Sequence, residues 1–334
     1  MPTIIDVAKR ANVSKRSVSR VLAGEGNVSK ESRDAVMKAV EELNFVKNSV
    51  ASSMRTRKSK TVLLIIPDIT NNFWSEVSRG AQIVLDKKGY SLMVANSDWQ
   101  KDREERYLQL AMEHKVDAVM INAPDMDMEK VSKMVDTPIV VLGERSHKLP
   151  FPIVGTDSYK AIRKALDYVW SKGHKRIGIV LSASFDSEGT KNSTKYRAYC
   201  DWMKEKNIDI NEKWVINIPL SIEGGKKLFS IWRDMDEKPS VILTGNDLVA
   251  VGFTKSARDD DVVVPDDVSL VGFDDIPLVG LMSPGITTLQ KPKSEIGAIA
   301  AERILEMLDG KTVPERTLLD SLLIERESVK GEKL

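Results

Sequence analysis

Lys15, Arg16, Ser19 and Arg20 recur at i, i+1, i+4 and i+5, which places them on one side of a helix while Val18, Val21 and Leu22 take the other. Arginine can bond guanine O6 and N7 bidentately and lysine can reach the same acceptors. Hydroxyls such as Ser14 and Ser17, and the flanking Lys30 and Arg33, suit phosphates. Spacing alone leaves a merely solvated basic helix equally open. A second set of polar and aromatic residues follows apolar runs: Asp68, Asn72 and Phe73 after the first run, then Trp99, Asn122, Glu144-Arg145, Ser182, Asn246-Asp247 and Asp274-Asp275. In open α/β sheets such strand-end residues line ligand clefts. Carboxylates, amides, a guanidinium and aromatic faces together suit a small polyhydroxylated or heteroaromatic ligand. Strand-end polar groups also cap helices, and Asp157 and Asp247 fit that role; Trp74 and Trp99 fit core or interface equally well.

These groups must be held by two kinds of element. Thr3 precedes Ile4, Val7, Ala8 and Ala11 at helical spacing, and Thr3-x-x-Asp6 resembles a capping box with the shorter acid. Asn12-Val13 makes a tight break and Ser14 caps a short second helix. Ser29 caps a third, whose Ala35, Val36, Ala39, Val40 and Leu43 form one stripe. This head spans residues 1–46. Residues 47–60 are small, polar and basic and read as a hinge and linker. From Thr61 onward, unbroken apolar strands alternate with amphipathic helices, the pattern of parallel sheets buried on both faces. The cadence runs twice, opening at Thr61 and again at Arg176, so two similar subdomains are expected. The runs at Pro284–Gln290 and Leu322–Ile324 are spare, and each subdomain is expected to be discontinuous: 61–157 with 284–318, and 158–283 with 319–334.

Charge is unevenly divided. The whole chain carries 50 basic and 49 acidic residues among 334, yet residues 1–60 hold 13 basic and 6 acidic, so a basic head precedes an acidic body. That asymmetry points to an anionic partner for the head. The single Cys200 excludes an intramolecular disulfide framework, and three scattered histidines offer no metal pattern. Phosphate-cradle, nucleophile-elbow and metal motifs are missing, which argues against an enzyme and for no cofactor. No apolar run reaches the ~18 residues of a membrane span, and the opening Met1-Pro2-Thr3-Ile4-Ile5-Asp6 lacks a basic, then apolar, signal pattern. A cytoplasmic protein is expected.

The segments Thr3-Ile4-Ile5-Asp6-Val7-Ala8, Ala11-Asn12-Val13-Ser14, Ser17-Val18-Ser19-Arg20-Val21-Leu22, Val28-Ser29 and Ala39-Val40-Glu41-Glu42-Leu43-Asn44-Phe45 resemble the headpiece of the lactose-repressor (LacI/GalR) family. The likeness continues through Asn48-Ser49-Val50-Ala51-Ser52-Ser53-Met54-Arg55, which is similar to the family's hinge helix, and covers nearly the whole chain. It implies an all-α helix-turn-helix headpiece on an α/β periplasmic-binding-protein-like body of two doubly wound parallel-sheet subdomains. It implies base reading by Lys15, Arg16 and Arg20, and it extends the DNA-binding set to Thr3, Asn27, Ser29, Asn48, Ala51, Met54 and Arg55, with Met54 as the apolar wedge at the central base step. Phe73, Arg145, Lys195, Asn246 and Asp274 match effector-facing positions, with Lys195 where arginine is usual. The expected function is an effector-controlled regulator, in repressor mode, that binds a pseudo-palindromic operator as a homodimer or tetramer. A sugar is the first expected effector, a purine or sugar phosphate the second. A cytoplasmic sugar-binding protein or sugar-modifying enzyme without DNA function is the rival from another class.

Overall fold

The structure is a computed structural model that describes residues 2–22, 28–45, 58–113, 115–123, 126–144, 148–182 and 193–332. It divides into two compact units, Met1–Ser59 and Lys60–Leu334.

In the first unit, helix α1 (Ile4–Arg10) starts in a capping box. The Thr3 hydroxyl accepts from the Asp6 N–H, and the Asp6 carboxylate accepts from the Thr3 backbone N–H at 2.7 Å. Those bonds to Thr3 hold the Asp6 carboxyl below the usual carboxylate range. Asn12, with φ of 53°, makes the break the sequence predicts, and α2 (Lys15–Leu22) follows, with the Ser14 hydroxyl accepting from the Ser17 N–H at 3.1 Å. Ser29 caps α3 (Lys30–Glu42). Val7, Ala8, Val18, Val21, Val36 and Ala39 form a buried core, with Ile4, Leu22, Val40 and Leu43 packed against it.

The second unit contains two six-stranded sheets. Its first half runs β1 (Thr61–Ile66), α4 (Asn72–Asp86), β2 (Ser91–Asn96), α5 (Lys101–Met112), β3 (Ala118–Ile121), α6 (Met128–Met134), β4 (Ile139–Leu142) and β5 (Ile153–Thr156). The second half runs α7 (Ser158–Ser171), β6 (Ile177–Ser182), α8 (Thr194–Glu205), β7 (Val215–Ile218), α9 (Ile222–Arg233), β8 (Val241–Leu243), α10 (Asp247–Asp259), β9 (Ser269–Asp274), a short α11 (Pro277–Gly280) and β10 (Thr287–Gln290). Then come α12 (Lys293–Leu308), β11 (Arg316–Leu319) and β12 (Leu322–Ile324). The first sheet has the order β11-β5-β4-β3-β1-β2 and is wholly parallel. The second has the order β12-β10-β9-β8-β6-β7, parallel except where β12 meets β10.

Two expected boundaries move. Residues 287–290 pair with β9 and β12, so the segment assigned from 284 to the first subdomain belongs through Gln290 to the second. Leu319 pairs with Thr156 and stays in the first sheet. Hydrophobic pattern identifies a strand but not the sheet it joins, because both sheets offer equivalent apolar edges. The chain therefore crosses between subdomains three times, after β5, after β10 and after β11. Three strands, β5, β7 and β11, lack the unbroken apolar run expected of a buried strand: β5 interleaves Gly155 and Thr156, while β7 and β11 are edge strands that need no such run.

Glycines let the flanking helices approach backbone to backbone. A methyl group on Gly80 of α4 would sit 1.9 Å from the Ser294 carbonyl oxygen, and one on Gly297 of α12 would sit 1.9 Å from that of Val77. The second subdomain repeats the device, with Gly225 of α9 against Val249 and Gly252 of α10 against Ile222. At the inner end of α10, the fully buried Asp247 accepts from the Ile276 N–H at 2.8 Å and from the Thr288 hydroxyl at 2.6 Å, tying α10 to β10 and to the loop after β9. Burial, reinforced by the negative charge of Asp274, pushes the Asp247 carboxyl up to about 7.

Gly80→Ala is expected to overpack the α4–α12 crossing and lower body stability by about 1–3 kcal/mol, read as a lower urea midpoint; an unchanged midpoint would mean the helices can separate at no cost. Asp247→Ala leaves a buried amide and hydroxyl without an acceptor, at about 1–3 kcal/mol for each, so its thermal midpoint should fall further than that of an exposed control such as Asp259→Ala.

Candidate functional site

In the head, Lys15 and Arg16 are exposed, and Ser17, Ser19 and Arg20 are half-buried, on the helix whose Val18 and Val21 enter the core. Hydroxyls of the expected DNA-binding set also do local work. Thr3 donates to Asp6 at 2.7 Å, Ser14 shares a 2.9 Å bond with Ser17, and Ser29 accepts from the Ser32 N–H at 3.3 Å. A cap that fixes the first turn of α2 also fixes where Lys15 and Arg16 project. Arg33 lies in the first turn of α3. Asn27, Asn48, Ala51, Met54 and Arg55 fall outside the described residues.

In the body, a pocket of about 170 Å³ opens at the carboxyl ends of the strands of both sheets. Drug-sized ligands occupy pockets from ~300 Å³ upward, so this one suits something smaller. A larger groove of about 500 Å³ lies between α5 and α6, away from the strand ends. The smaller pocket is the better site because buried charges and aromatic rings converge there.

Phe73, Trp74 and Trp99 supply the aromatic wall; Asn71, Asn122, Glu144, Thr156 and Ser158 supply polar groups from the first subdomain and the crossover after it. The second subdomain brings Lys195, Asn246 and Asp274, and the crossover after β10 brings Lys291. Phe73 reaches the pocket because Asn71 caps α4, accepting from the Phe73 N–H at 2.9 Å. Trp99 does so from a loop in which both it and Asp98 hold positive φ, 59° and 50°. Asn246 lines the pocket while its amide also works structurally, accepting from the Val249 N–H at 3.0 Å and donating to the Leu220 carbonyl at 2.9 Å.

The charges are arranged around Asp274. Its Oδ1 lies 2.8 Å from Lys291 Nζ. Asp274 and Asp275 hold φ of 127° and 56°, a conformation that costs a side-chain-bearing residue of order 1–3 kcal/mol. The buried Lys293 holds them there by donating to both carbonyl oxygens, at 3.0 and 2.7 Å, with its Nζ 3.5 Å from Glu76 of α4. Lys195 donates to the Gly245 carbonyl at 2.8 Å, and its Nζ lies 3.9 Å from the centroid of the Phe273 ring. The residue keeps some exposure, but burial of its ammonium, with the like charge of Lys291, pushes its pKa down to about 7 against the pull of Asp274 and Glu144. Glu144 accepts from the Ser158 N–H at 2.8 Å and lies 3.5 Å from Arg316. Burial nevertheless raises its pKa.

Of the residues expected to face an effector, Phe73, Trp99, Lys195, Asn246 and Asp274 come together here. Asp68 and Asn72 do not line the pocket. The Asp68 carboxylate turns back to accept from the Thr70 N–H and hydroxyl at 2.8 and 2.6 Å, and Asn72, first residue of α4, points to solvent. Arg145 lies outside the described residues. Lys291 was missed by sequence reasoning, although it directly follows a strand, because the run Pro284–Gln290 reads as a spare segment whose end is not assigned to the cleft.

Residues 3–48 match the family model described as bacterial regulatory proteins, lacI family, and residues 166–329 match that of a periplasmic binding protein-like domain. The chain is 31% identical over 331 residues to the NTD biosynthesis operon regulator NtdR of Bacillus subtilis (strain 168), covering 98% of this chain and all of that one. It is 31% identical to the ribose operon repressor of Halalkalibacterium halodurans, over 99% of this chain and 98% of that one. The lac repressor dimer bound to operator and the anti-inducer ONPF superposes with a TM-score of 0.86 at 20% identity, over 98% of this chain and 99% of that one, which confirms the fold. With its three-helix head, its paired α/β sheets and these full-length relatives, the chain belongs to the lacI family of bacterial regulatory proteins and is a DNA-binding transcription regulator rather than an enzyme.

Proposed function

We propose that this regulator works as a cytoplasmic repressor, with two copies setting their heads on the half-sites of a pseudo-palindromic operator and a sugar in the body pocket deciding occupancy. The observation that carries the DNA half is the capped α2, whose buried Val18 and Val21 leave Lys15 and Arg16 exposed. A helix held rigidly by its inner face can present long donors to base edges in the major groove. Pairing of copies follows from geometry: one short helix reads a few base pairs, and a two-fold pair doubles the contacts over sites one helical turn apart. A structure of a relative from Enterococcus faecium, 22% identical with a TM-score of 0.72, has bound ribose, and a sugar fits the amides, carboxylates and aromatic faces of this pocket.

The pocket's buried cation favours a ligand role over a structural one. An ammonium driven far below the ordinary lysine value costs the empty protein stability, and proteins keep such groups where function needs them. Ligand-driven switching requires a large differential affinity: moving occupancy from nearly full to nearly empty takes ~10⁴-fold preference for one conformation.

On an operator selected from random duplexes, Arg16→Ala should cost about 1–3 kcal/mol and relax preference at one base pair per half-site, measured by fluorescence anisotropy. Uniform weakening across all sequences would reassign Arg16 to phosphate binding. Lys195→Met should raise the thermal midpoint of the unliganded protein. With the folded pKa at about 7 and the ordinary value at 10.5, the unfolded chain binds more protons between those values, so native stability climbs with pH across that window. The gain from the substitution should therefore be full below pH 7 and vanish above about 10.5; a gain independent of pH would remove the buried charge as its cause.

A further inference from the structure

Two ammonium groups share the body pocket, and among the described residues only Asp274 lies within ion-pair distance of either. That one carboxylate is taken by Lys291 at 2.8 Å. Lys195 has a single oxygen partner, the Gly245 carbonyl, leaving two N–H groups without an oxygen acceptor among the described residues. Both nitrogens lie against one aromatic ring, Lys195 Nζ at 3.9 Å and Lys291 Nζ at 4.5 Å from the Phe273 centroid, so two like charges border the same ring.

We propose that the effector is an anionic sugar, carrying a phosphate or a carboxylate, whose anion is held by Lys195 and Lys291. The proposal rests on reading this pocket as the effector site. A neutral sugar could accept from Lys195 but would leave its ammonium without a counter-charge, whereas an anion supplies one through a charge-assisted bond and is drawn also by Lys291 beside the same ring. Lysine suits this task as a compact point charge for a tetrahedral or planar anion. An amino sugar would add a third positive charge, and the acids it could use are already engaged: Asp274 by Lys291, and Glu144 by the Ser158 N–H with Arg316 at 3.5 Å.

The test is isothermal titration of the full-length protein at pH 6.5 with glucose, glucose 6-phosphate, gluconate, glucosamine, ribose and ribose 5-phosphate, together with operator affinity in the presence of each. At least one anionic sugar should bind ten times more tightly than its neutral parent, and the phosphate and carboxylate arms of the panel separate the two sources of charge. Lys195→Met and Lys291→Met should each abolish that preference, and Lys195→Arg, which keeps the charge, should retain it. If a neutral sugar or glucosamine binds as tightly as the anions and shifts operator affinity, the pocket remains the effector site and the anion is overturned. If none of the compounds binds or moves operator affinity, the effector reading and the anion fall together.

Discussion

The body pocket depends on Lys293. Its ammonium, at the start of a helix of the first subdomain, donates to the carbonyls of Asp274 and Asp275, which end a strand of the second. Those two residues hold backbone angles that side chains disfavour, and a buried cation gripping both carbonyls over-determines them. The same lysine reaches toward Glu76 on α4, so the grip is anchored on the first subdomain. Without it the Asp274 carboxylate would have no fixed direction, and the ion pair with Lys291 no fixed place.

Around that grip, glycine-mediated contact brings α4 against α12 and α9 against α10, backbone to backbone. Three crossovers join the subdomains, and Ser158 and Lys291 face the pocket from two of them. A ligand touching both subdomains acts directly on those crossovers, which is the geometry of hinge closure.

Much of this was readable in the residues. Thr3-x-x-Asp6, the break at Asn12 and the Val18-Val21 stripe encode the head through local rules, and local rules act over a few residues wherever the segment sits. Central strands were equally plain, because burial on both faces demands unbroken apolar runs. Sheet membership was not plain: Thr287 to Gln290 would satisfy either sheet, and only the pairing with β9 and β12 decides. The site inherited both outcomes. Phe73, Asn246 and Asp274 follow from the strand-end rule, yet the same rule included Asp68, whose carboxylate folds onto Thr70, and overlooked Lys291, whose strand reads as a spare segment.

The three crossings also bear on how such a body can be inherited. Because its first subdomain is assembled from segments before Ser158 and after Gln290, no single stretch of gene encodes either subdomain alone. Recombination that cuts within the body would pair half a sheet with a foreign edge. The compact head, Met1–Ser59, is contiguous. New operator specificities can thus be acquired by exchanging one short reading frame, while a new ligand specificity has to arise by substitution in place.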